Sequence, residues 1–232
     1  MPAIQAVLLD VGGVFHLPDH DHLIGAFARA GVAIDPGLLD RAHYAGAARF
    51  TLAYDGDLDW KTMWGAYLDA YTRACEVPDD RRDDVLEHLR AEFAVAALWS
   101  RVIPGSREAL RALADTGTTL GVVSNADGSV AARLAEQEVL QVGPGPGVPV
   151  ATIIDSGAVG VQKPDPRIFH LALDALDVRP EHALYVGDMP AIDVVGARKA
   201  GIRPVVMDPF GFQADLDCDR VATLTEVGAF LR

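Results

Sequence analysis

Five short apolar runs, rich in β-branched residues and each ending on a polar residue or glycine, constrain this chain more than any other feature. They lie at about Ile4 to Asp10, Thr118 to Ser124, Val150 to Asp155, Ala183 to Asp188 and Val205 to Asp208. Such runs, lacking polar alternation, read as parallel strands buried on both faces. Helical patterns fall between them at Ser106 to Thr116, Gly128 to Gln137, Pro166 to Leu176 and Ile192 to Ala200. Strands alternating with helices predict βαβ units and an α/β fold with a doubly wound parallel sheet. The first connection breaks this rhythm. The second strand begins only at Thr118, more than a hundred residues after Asp10, whereas a right-handed crossover needs a few tens. An inserted unit is therefore expected.

The inserted stretch, from about Phe15 to Trp99, is helical in character. Trp60, Met63, Trp64, Tyr67, Leu68 and Tyr71 fall on one helical stripe, and Val85, Leu89 and Phe93 on another with four-residue spacing. The spacing follows packing periodicity, so both stripes are assigned to the core of a small helical domain rather than to an aromatic substrate box. In the turn Tyr54 to Asp59 the acids serve as N-caps for a helix beginning near Trp60. The expected domains are a core of residues 1–15 and 97–232 and a helical unit of residues 16–96. The glycine- and proline-rich stretch Gln141 to Pro149 reads as a surface excursion without chemistry, and Pro209 to Phe212 as the finish of the core.

With 232 residues, half of them hydrophobic, the chain can bury one substantial core and a smaller satellite. A formal net charge of −13 argues against nucleic acid as the main partner, because that binding relies on clustered Lys and Arg. Any anionic substrate must then be held by local features: a lysine, backbone amides or a bound cation. Cys75 and Cys218, the only cysteines, make no disulfide framework, which fits a reducing cytoplasm. No run reaches membrane-spanning length, and the amino terminus has no export signal.

Four polar landmarks close or follow the apolar runs: Asp10, Ser124-Asn125, Lys163-Pro164 and Gly187-Asp188. They stand where an open α/β sheet places its ligand crevice. Gly12 and Gly13 allow a sharp turn after Asp10, and an aspartate presented there can attack phosphorus to form an acyl phosphate. The Ser124 hydroxyl and nearby amides can hold a phosphate oxygen, though Ser124-Asn125 read alone is equally a helix cap. Lys163, kept out of helix by Pro164, can neutralise both nucleophile and phosphoryl group. Asp188 and Asp193, five residues apart on a strand-to-helix turn, suit Mg²⁺, with Asp188 as ligand and Asp193 as support.

In this order the residues resemble the haloacid dehalogenase-like hydrolase superfamily, whose members place four such motifs at the carboxyl ends of a Rossmann-like sheet. The resemblance spans nearly the whole chain: Asp10-Val11-Gly12-Gly13-Val14 matches the first motif, Ser124 the second, Lys163 the third, and Gly187-Asp188 through Asp193 the fourth. The insertion looks like the family's helical cap. By this resemblance Asp10 is the nucleophile, Asp188 and the Gly12 carbonyl join Asp10 around Mg²⁺, and Ser124, Asn125 and Lys163 hold the phosphoryl group. The implied partner is a small phosphorylated metabolite.

Gly12 departs from the family's phosphatases, which usually carry a second aspartate there as general acid and base. Losing such a group typically costs ~10²–10⁴ in rate, roughly 3–5 kcal/mol of barrier. Three readings meet the gap: a good leaving group such as an anomeric, aryl or acyl phosphate; a proton from His16, or more remotely His20, His22, His43 or Tyr44; or weakened catalysis in a binding protein. The family's dehalogenases also lack the second acid, which makes 2-haloacid dehalogenation an alternative. Their fourth motif, however, lacks the Gly-Asp pair found here, so phosphomonoester hydrolysis ranks first.

Overall fold

The computed structural model describes residues 3–231. The chain opens with β1 (Ala6–Leu9), turns through the glycines into β2 (His16–Pro18), and enters four helices: α1 (His20–Arg29), α2 (Leu39–Leu52), α3 (Trp60–Ala74) and α4 (Arg82–Phe93). It returns through β3 (Trp99–Val102), which pairs antiparallel with β2, so a two-stranded ribbon carries the chain out and back. Then follow α5 (Ser106–Asp115), β4 (Thr119–Ser124), α6 (Val130–Glu136), β5 (Leu140–Val142), β6 (Val148–Val150), β7 (Thr152–Asp155) and α7 (Ser156–Val159). The remainder is α8 (Pro166–Leu176), β8 (Ala183–Gly187), α9 (Asp193–Lys199), β9 (Arg203–Met207) and β10 (Asp219–Val221).

Among the described residues, six strands form one parallel sheet in the order β10-β9-β8-β1-β4-β7. The doubly wound α/β fold expected from the apolar runs is therefore present. Every residue of β1 and β8 is buried because the central strands are covered on both faces. Val7, Leu9, Leu120, Val122, Leu184 and Val186 pack on one side with Leu110 and Leu113 of α5. On the other, Leu8, Val123 and Tyr185 meet Phe169 and Leu173 of α8 and Ala197 of α9. Asp10, Asp188 and Asp208 fall just past the ends of β1, β8 and β9, whereas Ser124 and Asp155 still pair with each other as the last residues of β4 and β7, and β10 extends the sheet beyond the five predicted strands.

The inserted helices share a separate apolar cluster with Met189, Ala191 and Ile192, the segment just after Asp188. Asp59 caps α3 by accepting a hydrogen bond from Thr62 N, as its position predicts. The aromatic stripes divide. Met63, Tyr67, Leu68, Tyr71, Val85 and Leu89 are buried, whereas Trp60, Trp64 and Phe93 at the rim are only partly covered. Residues 141–149 are no plain excursion: β5 pairs parallel with β6, and the buried Gln141 side chain accepts from Gly147 N. No helix among the described residues is long and apolar enough to cross a membrane.

Candidate active site

Strand register decides where the reactive groups meet. Leu9 pairs with Val122 on one side and Val186 on the other, so Asp10, Ser124 and Gly187-Asp188 all leave their strands at one edge of the sheet. Asp10 is held there by donating its backbone N–H to Val186 O at 2.8 Å. Lys163 reaches the same point from the turn before α8, fully buried. Its ammonium donates to Asp10 Oδ2 at 2.6 Å, to Asp193 Oδ1 at 2.8 Å and to the Tyr185 hydroxyl at 2.8 Å.

The partners of the other polar groups sort their roles. Asn125 spends its amide on the Lys163 backbone, accepting from Lys163 N at 2.7 Å and donating to Lys163 O at 3.1 Å. Its side chain thus positions the lysine, with both amide atoms engaged by the Lys163 backbone. Asp193 accepts from Lys163 and Tyr185 through Oδ1 and from Met189 N through Oδ2. Both oxygens are engaged by the protein, the arrangement of a supporting carboxylate. Asp188 accepts from His43 Nε2 at 2.9 Å, and His43 Nδ1 lies 2.8 Å from the Tyr67 hydroxyl. A carboxylate only accepts, so the ring donates through Nε2, and as a neutral imidazole it accepts a hydrogen bond from the Tyr67 hydroxyl at Nδ1. Sequence reasoning named His43 only as a remote proton donor and Tyr67 only as a packing residue; their relay from α2 and α3 to a core carboxylate depends on a contact spanning 145 positions of sequence.

Asp10, Asp188 and Asp193 present ligand atoms within 4.8 Å of one another, all three residues buried. Burial, with repulsion from Asp193 and Asp188, pushes the Asp10 carboxyl up to about 7 despite the neighbouring ammonium. Burial likewise raises Asp188 against the opposing pull of His43. Burial works against the charge of Lys163, but Asp10 and Asp193 hold its ammonium above the ordinary lysine range. Three carboxylates facing one lysine leave negative charge that a hard divalent cation with oxygen ligands would neutralise. The donor set fits such an ion.

Glycine is required beside this cluster. Gly13 has φ +67°, and a Cβ there would lie 2.2 Å from Asp188 Cγ. Gly13→Ala should therefore displace Asp188, lowering stability by about 1–3 kcal/mol and reducing turnover more than this destabilisation explains. Thermal unfolding and turnover measured together check it, and unchanged values in both would show that Gly13 is not needed for Asp188's position.

A cavity of about 310 Å³ opens over Asp10, Ser124, Lys163 and Asp188. Trp60, Trp64, Phe93 and Trp99 line it on the inserted side, and Asp127 and Arg133 on the core side. The expectation that Trp60, Trp64 and Phe93 are purely packing residues is thus corrected: at the rim of a stripe one ring edge packs while the other faces the cavity. Residues 209–212 do more than finish the core. The Phe210 ring lies 5.7 Å from Tyr44, Arg41 stacks over Phe212 at 4.6 Å, and the adjoining Gln213 donates to Asp188 O at 2.9 Å.

The chain matches the profile of the haloacid dehalogenase-like hydrolase family over residues 4–201, and it belongs to that family. It is 55% identical over 56 residues to a phosphoserine phosphatase of Thermus thermophilus, covering 24% of this chain and 22% of that one. It is 33% identical over 144 residues to a phosphoglycolate phosphatase of Rhodospirillum rubrum, covering 62% of this chain and 56% of that one. These matches therefore span less than two thirds of either relative. In three dimensions it resembles a phosphatase of the superfamily from Thermococcus onnurineus, with TM-score 0.59, 23% identity and 98% of both chains covered, a likeness of fold.

Proposed function

We propose that this hydrolase is a Mg²⁺-dependent phosphomonoesterase that transfers the phosphoryl group of a small cytoplasmic metabolite to Asp10 and then to water. The carrying observation is the buried cluster of Asp10, Asp188 and Asp193 with Lys163 at 2.6 Å from the nucleophile. The relatives named as phosphatases support the same reading. Asp10 attacks phosphorus through a carboxylate oxygen, and the ester oxygen departs into the aromatic cavity. Lys163 favours the ionised form of Asp10 against the opposing effect of burial and offsets charge on the phosphoryl oxygens. The Ser124 hydroxyl and the Asn125 main chain supply donors to those oxygens. Asp10, Asp188 and the Gly12 carbonyl would hold Mg²⁺, with Asp193 fixing the lysine and the Met189 amide behind them. When bound, the ion supplies positive charge to substrate oxygens and screens the nucleophile from its neighbours.

Residues 16–96 act in this reading as a cap on the core of residues 1–15 and 97–232, screening the reaction from water and selecting the leaving group. Haloacid dehalogenation ranks below, because without a cation the three buried carboxylates Asp10, Asp188 and Asp193 would share the single ammonium of Lys163.

Release of inorganic phosphate from acetyl phosphate, with Mg²⁺ and with chelator, tests the proposal; release insensitive to chelator would remove the metal from it. A second measurement follows from Asp10. Its folded value of about 7 lies above the ordinary 3.8 of an unfolded chain, so the folded, metal-free protein holds this proton more tightly. Stability of the metal-free protein should fall as pH rises from about 4 to about 7 on this account. Mg²⁺ binding to the ionised cluster should consequently raise Tm far more at pH 7.5 than at pH 5. An equal rise at both would contradict this arrangement.

A further inference from the structure

We infer that the substrate is an aryl phosphate whose leaving group is an uncharged, planar phenol-type alcohol, an inference that rests on the phosphomonoesterase reading. The first observation is what replaces the missing acid. A Cβ at Gly12 would lie 3.2 Å from Cε3 and Cζ3 of Trp99, so an indole face occupies the space into which a longer side chain at position 12 would project. The position is not merely empty of a proton donor; it is built as an aromatic wall.

The second observation is that the titratable groups near the cavity are either held neutral or paired within the protein. His16 lines the cavity with its Nε2 buried and without a hydrogen-bond partner, and burial with the nearby Arg133 lowers the ring to about 4, so it carries no acidic proton to give at physiological pH. His43 is held between Asp188 and Tyr67. The Tyr44 hydroxyl donates to Gly13 O at 2.9 Å, and burial holds its phenol above the usual range. His20 pairs with Asp40 and His22 with Glu92, both outside the cavity lining. Asp127 is drawn below the usual carboxylate range by hydrogen bonding from Ser129, which makes it a poor acid. Among the described residues, no group at the cavity is poised to protonate an alkoxide, so the leaving oxygen must depart as a stable anion.

The third observation is the chemistry of the walls. The ring centroids of Trp64 and Phe93 lie 6.2 Å apart and those of Phe93 and Trp99 6.1 Å apart, a run of tilted and edge-on rings that lines the cavity and suits another π system. The charged residues opposite, Asp127 and Arg133, lie 3.4 Å apart and compensate each other, so they demand no charge on the leaving group. The step balances simply. The bond from Asp10 oxygen to phosphorus forms as the aryl oxygen–phosphorus bond breaks, its electron pair leaving on the phenolate. The phenolate takes a proton from solvent, and water then opens the aspartyl phosphate to inorganic phosphate and free carboxylate.

The test is kcat/KM for aryl phosphates of graded phenol acidity, for glycerol phosphate, and for acetyl phosphate as a small substrate that leaves without protonation. The expected result is a steep fall as the phenol becomes less acidic, with glycerol phosphate at least ~10²-fold below the best aryl ester. Trp60→Leu and Trp64→Leu should each lower the aryl-to-acetyl ratio, by up to about ten-fold. Turnover of acetyl phosphate with no aryl preference, or a ratio untouched in both variants, overturns the inference and leaves the phosphatase reading standing. Turnover of none of the phosphates overturns both. The wild-type series decides even if a variant fails to fold.

Discussion

Asp10→Asn is expected to abolish phosphate release, a loss on the order of 10⁴-fold or more, without unfolding the protein. An amide of the same shape has no carboxylate to form the acyl phosphate, so the effect falls on chemistry rather than on packing. Stability should respond differently. Asp10 is a buried acid whose charge is opposed by burial and by two neighbouring carboxylates, and the metal-free variant should unfold no lower than the native chain at pH 7.5. Phosphate release and thermal unfolding measured on one preparation separate the two. Robust turnover in the variant would refute the nucleophile assignment, and a collapse of stability would show that the pair with Lys163 matters more to folding than the repulsion does.

The second large effect is expected at Lys163. Its ammonium is fully buried and satisfies Asp10, Asp193 and Tyr185 at once. Removing one partner of a buried ionic network costs about 3–5 kcal/mol because the remaining charges are left uncompensated. For a chain of this length Lys163→Ala should lower Tm by roughly 10 °C, with turnover reduced at least ~10²-fold. Lys163→Met separates volume from charge: it should regain part of the stability but none of the activity. Activity in the methionine variant close to native would remove Lys163 from the reaction.

The fold was legible because buried parallel strands cannot hide their composition. Val7, Leu8 and Leu9 are covered on both faces of the sheet, which permits no polar alternation, and Asp10 marks the place where the cover ends. Ser124 and Asp188 likewise mark the carboxyl ends of their strands, so the positions of these strand ends could be read from the sequence. The five-residue spacing from Asp188 suggests Asp193 as a support, and both of its oxygens accept hydrogen bonds from the protein.

Other parts were not legible because they depend on distance across the fold. Periodicity shows which stripe of a helix turns inward, yet it does not say where the stripe ends. Trp64 and Tyr67 lie on the same stripe of α3, and only packing against Phe50 and Phe93 leaves one on the cavity and the other beneath it. Asn125 looked like a phosphate donor or a helix cap because its partner is the main chain of Lys163, thirty-eight positions away.

The sequence alone determined that this chain forms a doubly wound parallel sheet, and that Asp10, Ser124 and Asp188 stand at the ends of its strands. Burial on two faces and chain connectivity impose those features locally. Only the tertiary structure decided what surrounds the nucleophile. The strand order β8-β1-β4 brings three distant turns to one edge, and the β2-β3 ribbon returns the chain so that Trp99 covers Gly12. The inserted helices deliver His43 to Asp188 across 145 positions of sequence. These contacts are set by the docking of one apolar cluster on another, a property of shape that no local pattern carries.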